Sequence, residues 1–123
     1  MGPLDVAALY YDAWKHKQGD MTDVPLAEDF SYVGPIVSFD DAAGFRAMAA
    51  NAGQLVTGFE IRHQAVLDDV VITVVDMEMS LPIPTVTSAE ILEIRDGRLV
   101  RGENIYDAEP MRRAMAQAAP EAA

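Results

Sequence analysis

Between Phe59 and Tyr106 the chain runs through four strand-like segments, roughly Phe59 to Leu67, Val70 to Leu81, Thr85 to Ile94 and Arg98 to Tyr106. Only Asp68-Asp69, Pro82 with Pro84, and Asp96-Gly97 separate them. A parallel pair needs a crossover of about a dozen residues or more, so connections this short require antiparallel neighbours. A four-stranded meander also has an apolar face that something else must cover. The first half of the chain is where that cover is to be sought.

From Leu4 to Lys17 the residues Val6, Leu9, Tyr10, Ala13 and Trp14 form one helical stripe, entered at Pro3 and left at Gly19. Asp20 reads as the cap of a short second helical turn limited by Pro25, and Phe30 to Val33 as a brief strand ending at Gly34-Pro35. Ser38-Phe39-Asp40-Asp41 signals the start of a third helix, with Phe45, Met48, Ala49 and Ala52 on its apolar side and its end near Gly53. Three helices are thus expected before the sheet. A last helix starts at Asp107, with Pro110 tolerated in its first turn. The expectation is one α+β domain over 1–123, frayed at about 1–3 and 117–123.

Charge and composition then narrow the partners. Nine basic against twenty acidic residues give a formal charge of −11, which repels phosphate backbones and anionic lipid, so neither nucleic acid nor a membrane surface is an expected partner. The absence of cysteine excludes disulfides, thiolate metal sites and cysteine nucleophiles, and two histidines make a histidine-built metal site implausible. No metal and no cofactor are expected. No apolar run approaches the roughly 20 residues of a membrane span, and the N-terminus lacks a signal-like pattern, which makes the cytoplasm the expected location.

Strand alternation suggests which residues meet. Phe59, Ile61, His63, Ala65 and Leu67 share one face of the first long segment, and that face is expected to point inward. A two-residue Asp68-Asp69 turn sets His63 opposite Val74, which brings Ile72, Val74, Asp76 and Glu78 to the same face. Asp76 is then a diagonal neighbour of His63. A one-residue change of loop length reverses the assignment, with Val75, Met77, Met79 and Leu81 inward instead. In the last hairpin, a three-residue loop with Gly97 in a left-handed bulge segregates polarity better than a two-residue Asp96-Gly97 loop. It leaves Glu90, Leu92, Ile94, Val100, Asn104 and Tyr106 inside and Glu93, Arg101 and Glu103 outside.

These faces nominate a site. His63 is the candidate general base and Asp76 the group that fixes its tautomer, against the alternative of a hydrogen-bonded core histidine. Glu78 and Glu90 are candidate pocket acids, or else a solvated strand end and an ion-pair partner of Arg62. Tyr10, Trp14, Phe30, Tyr32 and Tyr106 offer a flat apolar lining with orienting hydroxyls, or ordinary core packing. Asn104 is a candidate for orienting a carbonyl or water. Met77 and Met79 are expected on the outer sheet face, at a dimer contact.

The run Tyr10-Tyr11-Asp12-Ala13-Trp14, then Gly19-Asp20, then Glu28 to Pro35, resembles the opening of SnoaL-like proteins, a branch of the nuclear transport factor 2-like superfamily. Ala89 to Val100, followed by Asn104-Ile105-Tyr106-Asp107, resembles their final hairpin. The resemblance implies a cone fold, in which helices close one face of a strongly curved antiparallel sheet around a pocket, and a homodimer through the outer sheet face. It implies a small apolar ligand, polyketide-like or terpenoid-like, and acid/base chemistry of isomerase, cyclase or hydrolase type, or a non-catalytic ligand-binding or dimerisation module. The scaffold serves many reactions, so it does not choose among them. Set against ketosteroid isomerases, the oxyanion-hole tyrosine falls on Tyr10 and the protonated acid at or near Glu90, but the general base falls on Gly34. Set against limonene epoxide hydrolase, the Asp-Arg-Asp relay falls on Asp76, Val74 and Asn104, and its Tyr and Asn on Tyr32 and Gly34. Neither mechanism can be assembled unchanged.

Overall fold

The computed structural model describes residues 1–118. Helix α1 (Pro3–His16) starts with Pro3 in its first turn and with the Gly2 N–H donating to Asp5 Oδ2, and it buries Val6, Ala7, Tyr10, Tyr11, Ala13 and Trp14. It stops where Gln18 and Gly19 turn left-handed at φ 51° and 79°. No helix follows at Asp20. Its carboxylate instead accepts from both the backbone N–H and the hydroxyl of Thr22, a side-chain turn that competes with helical hydrogen bonding. Arg46 reaches over this segment and donates to the Met21 and Val24 carbonyls.

Strand β1 (Leu26–Val33) folds back onto the short β2 (Ser38–Phe39), and α2 (Ala42–Gly53) begins where the Asp41 carboxylate accepts from the Gly44 N–H at 2.6 Å. Strands β3 (Val56–Leu67), β4 (Val70–Met79), β5 (Val86–Arg95) and β6 (Arg98–Ile105) then form the meander. Helix α3 (Glu109–Ala118) closes the described chain. The fold is the expected α+β one, with three helices against a curved, unclosed sheet ordered β2-β1-β6-β5-β4-β3. Two details differ from expectation. Only α1 and α2 precede the meander, the third helix being C-terminal, and β1 pairs with β6 in parallel, so one pair in the sheet is not antiparallel. The chain between β1 and β6, which runs through β2, α2 and β3 to β5, is long enough to permit this. Pro3 is already helical, as are Gln117 and Ala118; the rest of the expected C-terminal fraying lies outside the described residues.

The turn at Asp68-Asp69 has two residues, with Leu67 opposite Val70 and His63 opposite Val74, as the sequence suggested. The face it builds is nonetheless the outer one. Ile61 pairs with Val75 and His63 with Val74, so Arg62 is an extra residue in β3, a β-bulge that shifts the alternation by one. Phe59 and Ile61 point to the core side, with the Phe59 ring tilted against that of Tyr11 at 6.0 Å, whereas His63, Ala65 and Leu67 point outward. In β4 the inner set is Val71, Thr73 and Val75, all fully buried, followed by Met77 and Met79.

The last hairpin reaches the expected segregation by another route. Asp96 and Gly97 form a two-residue turn with φ 53° and 73°, both positive as a type I′ turn requires. Arg95 pairs with Arg98 and Ile94 with Leu99, but Glu93 pairs with Arg101, so the bulge falls on Val100 and not on the turn. Leu99 takes the core position, Glu90 pairs with Asn104, and both face inward.

Candidate functional site

Between the helices and the concave sheet face lies a cavity of about 330 Å³. Its walls come from every layer: Trp14 of α1, Tyr32, Ile36 and Val37 around the β1-β2 hairpin, Met48 and Ala52 of α2, Met77 and Met79 of β4, and Met111, Ala114 and Met115 of α3. Five of the seven methionines in the chain line it, and thioether side chains adapt to irregular apolar shapes. Polar groups gather on β5 and β6: Ser88, Glu90, Asn104, and Tyr106 just beyond the strand.

Glu90 is the centre of this polar end. It is 5% exposed, and the Tyr10 hydroxyl donates to its Oε2 at 2.9 Å. The Tyr11 hydroxyl faces the same carboxyl and the Thr73 hydroxyl, but it makes no bond of good geometry with either. Loss of water around the carboxylate pushes Glu90 up to about 7, and the donors Tyr10 and Tyr11 pull it part of the way back. Tyr10, Tyr11 and Tyr32 are all pushed up, first by burial and then by the nearby Glu90, so their hydroxyls keep their protons at neutral pH. Tyr106 is also raised by burial, and its hydroxyl contacts Met111 Sδ at 3.8 Å.

The sequence-nominated residues therefore divide. Trp14, Tyr32, Glu90, Asn104 and Tyr106 line the cavity together. Tyr10 stands one layer behind, reaching the site through Glu90, and Phe30 is a fully buried core ring packed on Phe45 at 5.0 Å. His63, Asp76 and Glu78 do not come to the cavity. His63 is exposed on the outer face of the edge strand β3. Asp76 accepts from the Thr87 hydroxyl at 2.6 Å and lies 3.7 Å from Arg62, and Glu78 is exposed beside Gly58. The reason is the Arg62 bulge, which the uninterrupted alternation of residues 59–67 did not disclose. Met77 and Met79, expected outside, line the cavity for the same reason.

Tyr11, Thr73, Ser88 and the methionines of α2 and α3 were missed. Ala7, Tyr11 and Trp14 recur at helical spacing, and Ser88 lies two residues before Glu90 on the same strand face, so those two signals were present. Thr73 stood in the set assigned to the outside. The positions aligned with the epoxide hydrolase relay do not converge either, since Val74 and Asp76 face outward and Asn104 inward. Tyr10 and Glu90, the positions aligned with the ketosteroid isomerase oxyanion hole, are hydrogen-bonded to one another. Among the described residues no group of three or more His, Asp or Glu side chains is arranged to hold a metal ion, and no helix is long and apolar enough to cross a membrane.

Comparison with known proteins places this architecture. A Kribbella flavida protein of known structure superposes with a TM-score of 0.79 at 26% identity, over 93% of each chain. An LEH-like epoxide hydrolase of M. tuberculosis is similar at a TM-score of 0.70 and 16% identity, over 94% of this chain and 90% of that one. A Catenulispora acidiphila protein with a ketosteroid isomerase-like fold, solved in complex with trimethylamine, is similar at 0.70 and 17%, over 96% and 94%. No curated protein matches the chain. The family model of the SnoaL-like domain matches residues 7–102, from within α1 to within β6, and the chain belongs to that family.

Proposed function

We propose that the cavity binds an apolar small molecule of polyketide-like or terpenoid-like skeleton, and that Glu90 exchanges a proton with it in an isomerase-, cyclase- or hydrolase-type reaction. The observation that carries this reading is the position of Glu90: a buried carboxyl at the polar end of an apolar cavity, raised to about 7, where it can both give and take a proton at neutral pH. Tyr32, Asn104 and Tyr106 surround it as groups able to orient a ligand oxygen or nitrogen. The M. tuberculosis protein of similar fold is an LEH-like epoxide hydrolase, and a hydrolase-type reaction is among those compatible with this choice.

The test is hydrogen exchange. Cyclic ketones, enones and amino ketones are incubated with the protein in deuterium oxide, and deuterium next to the carbonyl is measured by mass spectrometry. Exchange by the wild type should exceed buffer, and Glu90→Gln, folded by circular dichroism, should lose on the order of 10²-fold or more. Equal exchange by the variant would remove Glu90 from the reaction.

A second reading, ligand binding without turnover, is favoured by one feature: among the described residues Glu90 is the only carboxyl in the cavity lining, and no His, Lys or Arg accompanies it there. Ligand-induced rise of the melting temperature with no exchange on any compound would select it. We also propose self-association through the outer sheet face, where Leu67, Ile72 and Ile105 leave apolar surface exposed.

A further inference from the structure

Among the described residues Glu90 has no counter-ion. The groups packed around its carboxyl are Tyr10 and Tyr11 from α1, Tyr32 from β1, Thr73 from β4 and Asn104 from β6, none of them positive. None of the nine Lys and Arg residues and neither histidine lines the cavity. A carboxylate this far from water is stable only beside an opposite charge or a full set of donors. Tyr10 supplies one donor, to Oε2, the Tyr11 hydroxyl lies near without a bond of good geometry, and Oε1 has no hydrogen-bond partner of good geometry among the described residues.

The remaining surroundings favour a cation. The rings of Trp14, Tyr32 and Tyr106 are part of the cavity wall, aromatic rings attract cations, and the thioethers are polarisable. The charge of −11 concentrates cations near the molecule and repels anions.

We propose that the ligand of this cavity is a lipophilic amine, whose ammonium group supplies the missing counter-ion to Glu90 while its apolar body fills the methionine-lined volume. This rests on the reading that the cavity holds an apolar molecule. The amine arrives protonated; where Glu90 still carries its proton, that proton leaves to solvent as the ion pair forms.

Adamantylamine, adamantanol and adamantane carboxylate share one compact hydrocarbon body and differ only in the polar group. Titration calorimetry at neutral pH should show the amine binding at least about tenfold tighter than the alcohol, and the carboxylate weakest. Repetition in buffers of different ionisation enthalpy should show net proton release with the amine alone. Glu90→Gln should abolish the preference for the amine and keep the alcohol. Should that variant fail to fold, the wild type at about pH 5 gives the same comparison, because a protonated Glu90 should no longer prefer the amine. Alcohol bound as tightly as amine overturns the amine assignment and leaves the apolar-ligand reading standing. Binding of none of the three overturns both.

Discussion

At the residue scale the energetics centre on Glu90, whose carboxyl rises from an ordinary value of 4.5 to about 7 because burial removes its water. Between those two values the folded chain holds a proton that the unfolded chain has lost. Stability therefore falls as pH rises through that window and levels off above about 7. Glu90→Gln should remove this slope, with the variant gaining on the order of 3 kcal/mol relative to wild type between the acid and neutral ends. Urea melts at a series of pH values check it, and a variant-minus-wild-type difference independent of pH would contradict the burial account. Tyr10→Phe removes the hydroxyl that donates to Oε2, so desolvation is opposed less and Glu90 should titrate at still higher pH. A carboxyl-carbon NMR titration reads this directly, and the lost hydrogen bond should cost about 1 to 2 kcal/mol.

Single residues at element boundaries decide how the elements meet. The end of α1 lies on the end of α2 with backbone against backbone: a Cβ on Gly53 would stand 1.9 Å from the Gln18 carbonyl oxygen, and one on Gly19 would stand 2.0 Å from that of Ala49. Neither neighbour is a side chain that can swing away. Gly53→Ala should accordingly destabilise the fold by about 3 kcal/mol or more, a cost of the overpacking kind measurable by denaturant melts. Helix α3 is tied more lightly. Arg112 donates to the Pro35 carbonyl at 2.7 Å, joining the neighbours of the wall residues Met111 and Ile36, while Met111 and Met115 supply wall. Arg112→Ala should change stability by less than about 1 kcal/mol, since the bond is solvent-exposed, yet speed dissociation of a cavity-bound fluorescent dye in stopped flow. An unchanged rate would show that α3 does not limit exchange. Strand and helix positions were legible from stripes and turns, because local periodicity reflects burial. The Asp20 segment was not, because a Thr two residues on offered the carboxylate a turn in place of a helix cap.

On the scale of the whole molecule, the outer sheet face joins exposed Leu67, Ile72 and Ile105 with charged pairs such as Arg62 and Asp76. If two copies meet there, Ile72→Lys should shift a dimer to monomer in light scattering after size exclusion without lowering the monomer's helix and strand content; a wild type that is monomeric at high concentration would reject the interface. The amino-acid sequence by itself determined α1, α2 and the C-terminal helix, the antiparallel meander, the acidity and the inward direction of Glu90, Asn104 and Tyr106, since these follow from helical stripes, short turns, local alternation and composition. It pointed His63 and Asp76 at the wrong face although it placed His63 opposite Val74 correctly. A bulge at Arg62 adds one residue to one strand without altering any residue type. Side-chain alternation has a period of two, so that one added residue reverses every side chain beyond it. Only the packed structure, where Val71, Thr73 and Val75 are buried against the helices, decides which parity faces the cavity. It likewise left Glu90 with tyrosines and methionines around it and no cation, a property of the assembled layers that no single segment carries.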